Sequence, residues 1–172
     1  MATIRGGLWR LMGMAAAMTV APAAAAGENA RFALAGTWVM EAAYEILADG
    51  TRVTNYGKRP DGLLIIDAQG RYSLQIFRPA RPRFASGDKT RGSPEEYREA
   101  VLGSSTHTGR IEIDAAASHL IFHIETASYP NWEGTRQVRE YTLDDGLLKY
   151  AVPASASGNG TVAHSWWRRA AG

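Results

Sequence analysis

The sequence predicts an all-β domain built as an antiparallel up-and-down meander, with one short helix inserted. Three observations carry this. Short runs alternate apolar and polar residues, which is the pattern of half-buried strands. Turn dipeptides separate them: Asp49-Gly50, Gln69-Gly70, Asp145-Gly146 and Asn159-Gly160. One segment alone, around Ser93, carries helix-start chemistry. A meander that closes on itself loses its exposed edges. A barrel of about eight strands is wide enough for one small ligand. A two-layer sandwich satisfies the same periodicity, and alternation alone does not choose between them.

Taken in order, 37–47 reads as a strand that ends at Asp49-Gly50, with 51–56 as its returning hairpin partner. Pro60-Asp61-Gly62 introduces a strand over 62–67, and Gln69-Gly70 one over 71–78. The loop 79–92 holds two prolines and several basic residues, a long excursion of the kind that often carries function. Ser93-Pro94-Glu95-Glu96 is a capping box with proline at the first helical position. It starts a helix of roughly two to three turns, with Tyr97, Ala100 and Val101 on one face and Gly103 as a left-handed stop. Later strands are expected near 106–113, 120–127, 135–143, 147–152 and 162–168.

Residues 1–26 stand apart from this pattern. Arg5 and Arg10 precede an apolar run over 11–20, and small residues lead to Ala24-Ala25-Ala26. A basic start, a short apolar core and a small-residue cut site make a secretory signal peptide. The run falls short of the roughly 20 apolar residues needed to span a bilayer. Cleavage before Gly27, no stable membrane anchor afterwards and a periplasmic or secreted location are therefore expected, with one domain over 27–172. The chain has 19 basic and 17 acidic residues; without Arg5 and Arg10 the balance is 17 against 17, which gives no support to a nucleic-acid partner. Cysteine is absent, so an exported domain must be held by its core alone.

Gly36-Thr37-Trp38 at the head of the first strand resembles the lipocalin and wider calycin pattern. That resemblance implies a structural Trp38 across the closed barrel end beside an arginine of the last strand, with Arg168 the expected partner. A guanidinium on an indole is worth about 0.5–2 kcal/mol. Longer stretches are more specific. Tyr72-Ser73-Leu74-Gln75-Ile76-Phe77-Arg78-Pro79, Arg81-Pro82-Arg83-Phe84-Ala85-Ser86-Gly87-Asp88, Pro94-Glu95-Glu96-Tyr97 and Pro130-Asn131-Trp132-x-Gly134-Thr135-x-Gln137-Val138-Arg139 resemble the bacterial and fungal lipocalin-like domain family. The likeness runs from Leu34 to about Arg168 and implies a closed antiparallel barrel with a central cavity. Val162-Ala163-His164 departs from the plainer apolar strand expected there.

The hairpin 123–141 concentrates hydrogen-bonding groups. Period-two counting puts His123 and Glu125 on one face of its first strand, and Gln137, Arg139 and Tyr141 on one face of its second. In a closed barrel both faces are expected to point inward, with Glu125 as counter-charge to Arg139 and with Gln75 and Phe77 joining the same cavity. Such a network can pin the interior, orient a ligand or transfer protons. His119 and His123 stand about 13 Å apart on a strand and cannot share an ion. His123 and Glu125 are too few ligands for zinc. No metal and no cofactor are expected. There is no cysteine nucleophile and no Gly-x-Ser-x-Gly elbow, and no catalytic residue is assigned. The basic run Arg78, Arg81, Arg83, Lys89 and Arg91 either draws an anion to the mouth or forms a solvated loop. Trp132 either covers one barrel end or rims the pocket.

Two functions follow. One is an exported barrel that binds a small hydrophobic molecule, with walls from Trp38, Phe77 and Tyr141. The other is a barrel enzyme of isomerase or cyclase type, with proton transfer by His123 or Glu125 and Arg139 stabilising negative charge. Fold analogy alone does not separate them.

Overall fold

A computed structural model describes residues 34–171; the expected signal peptide lies outside them. The strands are β1 (Gly36–Ile46), β2 (Arg52–Val53), β3 (Asp61–Ile66), β4 (Arg71–Phe77), β5 (Ser104–Asp114), β6 (His119–Ala127), β7 (Arg136–Asp144), β8 (Leu147–Val152) and β9 (Val162–Arg169). Helix α1 (Pro94–Leu102) lies between β4 and β5, and a 3-10 turn (Pro130–Trp132) between β6 and β7.

Every neighbouring pair is antiparallel, and β9 pairs with β1 from Trp38↔Arg169 to Ile46↔Val162. That pairing closes eight strands into a barrel and rules out the sandwich. Strand β2 adds only two residues to β1. The full return over 51–56 does not form, because the chain turns at Thr54, whose carbonyl accepts from Gly57. Alternation fills the interior with Trp38, Leu64, Leu74, Phe122, Leu148 and Trp167, all at most 1% exposed.

Two bulges change the parity of this alternation. On β1, Trp38 and Met40 point inward and then Ala43 does, since the register shifts between Met40 and Ala42. On β6, Ile124 points inward and Ala127 packs next against the core, since Gly109 pairs with Ile124 while Thr108 pairs with Thr126. Gly109 has φ +155°, and a Cβ there would collide with the His123 carbonyl. The bulge therefore requires glycine on the facing strand. At the β7–β8 turn, Asp145 (φ 44°) and Gly146 (φ 68°) form the two-residue hairpin that their sequence predicts. Asn159-Gly160 does not form a tight hairpin. It lies in the longer β8–β9 loop, where Asn159 and Thr161 both donate to the Glu45 carboxylate.

Helix α1 has the predicted capping box: Ser93 Oγ accepts from the Glu96 amide at 3.2 Å, and Glu96 accepts from the Ser93 amide at 2.7 Å. Two other helix expectations need correction. Gly103 has φ −87°, so it is not a left-handed stop. What excludes a side chain there is space, since a Cβ would sit 2.7 Å from both the Glu99 carbonyl and Arg81. The helix also buries none of its residues in the barrel. Tyr97 instead meets the Phe84 ring and donates to the Lys89 carbonyl, so the helix packs on its own excursion. Arg78 ties that excursion down, pairing with Glu99 at 2.7 Å and donating to the Asn55 carbonyl.

The two barrel ends differ. At one, Trp38 is completely buried and donates to the Leu34 carbonyl at 2.9 Å. The guanidinium over its ring, at 4.2 Å, belongs to Arg169 and not to Arg168. Arg168 lies one residue earlier, on the outer face, and pairs with Glu41 at 3.1 Å. At the other end, the β2–β3 connection, the excursion, the 3-10 turn and the β8–β9 loop surround a mouth.

Candidate functional site

Behind that mouth lies a small cavity that opens to solvent. Its lining includes Tyr56, His107, Trp132, Arg139, Tyr150 and Ser165. Strand β7 supplies its positive charge. Cross-strand partners on β6 and β7 are Leu120↔Arg139 and Phe122↔Gln137. Facing residues share a side of the sheet, so the inward Leu120 and Phe122 carry Arg139 and Gln137 inward with them.

Arg139 is 3% exposed and Gln137 4%. Arg139 Nη2 donates to Gln137 Oε1 at 2.7 Å. The guanidinium lies 3.9 Å from the centre of the Phe122 ring and 5.2 Å from that of Tyr150. No carboxylate among the described residues pairs with it, and Nε has no hydrogen-bond partner. Burial draws its pKa below the ordinary arginine value, and Tyr150 and Tyr72 oppose that. One charge-assisted bond is worth about 1.5–3 kcal/mol, and a desolvated cation–π contact about 2 kcal/mol. Burying an ion costs several kcal/mol even after relaxation. The pocket thus leaves part of the demand of Arg139 unmet.

Tyr150, 3% exposed, stands beside it. Ser165, Trp167 and Arg139 approach its hydroxyl, but none is placed for a well-formed hydrogen bond. Burial pushes the phenol pKa up, so the group is a neutral donor. On β5, His107 is 4% exposed and its Nδ1 lies 2.7 Å from the Tyr72 hydroxyl. Burial, helped by the charge of Arg139, holds the His107 pKa well below the ordinary histidine value, so the ring is neutral. Edge-on contacts with Phe122 and Trp132, each at 5.9 Å, extend an aromatic wall from the interior to the mouth.

The sequence-predicted residues divide between the two faces. Gln137 and Arg139 reach the interior, and Tyr141 is half-buried against the core. His123 and Glu125 do not join them. His123 pairs across the strands with the exposed Arg136, lies on the outer face and has its ring 3.4 Å from the Glu112 carboxylate. Glu125 sits at the β6 bulge, half-exposed, 3.6 Å from Arg71 and not on Arg139. Gln75 and Phe77 also point outward, because β4 turns Tyr72, Leu74 and Ile76 to the core. Phe77 lies under Arg81 on the outside. Trp38 belongs to the closed end and is not part of the cavity wall. Trp132 rims the cavity. Among the basic run, Arg78 is paired with Glu99 and Arg91 with Asp88, and none of the five lines the cavity.

His107, Tyr150 and Ser165 were not singled out from sequence. A signal for His107 existed: it shares the parity of Ile111 on β5, and the bulge that disturbs this sheet lies on the partner strand.

A closed antiparallel barrel with a polar group inside an aromatic-walled cavity defines the class of protein. The chain belongs to the lipocalin-like domain family, whose match covers residues 35–170. It is 29% identical over 105 residues to a 4'-hydroxy-3'-methoxypropiophenone carrier protein of Aspergillus oryzae, covering 56% of this chain and 95% of that protein. A crystal structure of a variant of the fluorescent protein UnaG aligns over 80% of this chain and 96% of its own, at 14% identity and a TM-score of 0.36.

Proposed function

We propose that this protein binds and carries a small, largely apolar molecule inside the barrel. The observation that carries the reading is the cavity itself, aromatic along one wall and holding a buried guanidinium without a carboxylate partner. Ligand pockets have this make-up, mostly apolar with a few placed polar groups. The name of the Aspergillus oryzae relative, a carrier of a small aromatic ketone, supports it. The proton-transfer alternative loses its support, because His123 and Glu125, the residues meant to perform it, are on the outer face. The basic, apolar and small-residue succession in 1–26 supports export, which an intact mass beginning at Gly27 would establish.

Native mass spectrometry of protein purified from its own host tests the reading. The folded protein should carry a small adduct that denaturation releases. Ala163, which lines the cavity, supplies the control: Ala163→Phe should fill the space and abolish the adduct while circular dichroism stays native. A folded Ala163→Phe protein with an unchanged adduct would place the ligand elsewhere.

A further inference from the structure

We infer that the ligand carries an ionised oxygen acid, a phenolate, enolate or carboxylate, on a flat ring, and that Arg139 with Tyr150 holds that oxygen. This rests on the proposed role of the cavity as a small-molecule site. Two buried polar atoms without a well-formed hydrogen bond, Arg139 Nε and the Tyr150 hydroxyl, belong to residues that line one cavity. Both residues are 3% exposed, so bulk water does not serve them. An N–H of guanidinium donates only, and a neutral phenol beside a cation donates readily. The complement of two donors and one positive charge is an anionic oxygen acceptor.

The rest of the interior supplies no anion. His107 is neutral, Gln137 already accepts from Arg139, and Tyr72 is occupied with His107. Glu45, the carboxylate on the lining, accepts from Asn159 and Thr161 on the β8–β9 loop. The flat ring follows from the wall. Phe122 lies behind Arg139, and His107, Tyr150 and Trp132 give the lining an aromatic surface that reaches the mouth. A planar group fits along such a surface in offset or edge-on contact.

4-Nitrophenol and 4-nitroanisole test this. They share a ring and a nitro group, but only the first ionises near neutral pH, with a change of colour. A buried site without a cation would favour the protonated phenol, whereas Arg139 favours the phenolate. With wild-type protein near the dye's own pKa, the phenolate absorbance should rise as protein is added. The phenolate should bind about 10- to 100-fold more tightly than 4-nitroanisole, the range of a hydrogen bond to a charged group. Arg139→Met should remove that preference and Arg139→Lys keep most of it; if neither variant folds, the wild-type absorbance decides alone. Equal binding of both dyes, or a fall in phenolate absorbance, would overturn the inference and leave the cavity reading standing. Binding of neither dye would count against both.

Discussion

His107 shows what a single buried residue adds to the behaviour of the whole protein. Its folded pKa is held well below the ordinary value near 6.5, so it stays neutral in the barrel. The unfolded chain protonates it below about 6.5, so there the unfolded state binds the extra proton. Stability therefore rises with pH in that window and falls on acidification, by up to about 1.4 kcal/mol per pH unit for one site. Urea midpoints for wild type should drop between pH 6.5 and 5, and His107→Gln should flatten that slope. An unchanged slope would mean that His107 is not buried in its neutral form. Trp38 is a second residue with a predictable weight. It is completely buried, hydrogen-bonded to Leu34 and covered by Arg169. Trp38→Ala should lose about 3–5 kcal/mol in denaturant unfolding.

At the scale of strands, register decides which residues meet. Period-two counting within 120–127 and 136–144 identifies two faces on each strand but does not say which faces coincide. His123↔Arg136 pairing places odd-numbered residues of β6 opposite even-numbered residues of β7. His123 and Gln137 are therefore on opposite sides of the sheet. On β6 the apolar face went inward, as hydrophobicity dictates. On β7 the inward face carries the polar Gln137 and Arg139 beside the half-buried Tyr141, while Arg136, Val138 and Glu140 point out. Which β6 residues share that face is set by the register with the partner strand and not by β7 alone. Most strand ends outside 51–56, the capping box and the Asp145-Gly146 turn were legible because each depends on a few neighbouring residues. Bulges belong to the other kind. The Gly109 bulge shifts parity on β6, and Gly109→Ala should push a methyl into the His123 carbonyl. A loss of about 1–3 kcal/mol is expected, the usual cost of overpacking, together with lost amide protection around Ile124. A variant with the wild-type denaturant midpoint would show that the bulge tolerates a side chain.

At the scale of the molecule, the barrel depends on its last strand. Without β9, both β1 and β8 expose an unpaired edge, and Trp167 leaves the core. A chain truncated after Val152 should show no cooperative unfolding transition and should be cut rapidly by a non-specific protease. A protease-resistant truncated product would show that the remaining strands form a stable open sheet. The same clasp gives the chain a direction in time. The strand that opens the barrel waits for one made more than a hundred residues later, from Gly36 to Arg169. Until β9 has left the ribosome, the earlier hairpins have no ring to join. Contacts this distant in sequence form slowly, so a nascent copy remains threadable for as long as it is being made. On the export reading, that delay is useful, because the chain can cross a membrane before it locks around its cargo.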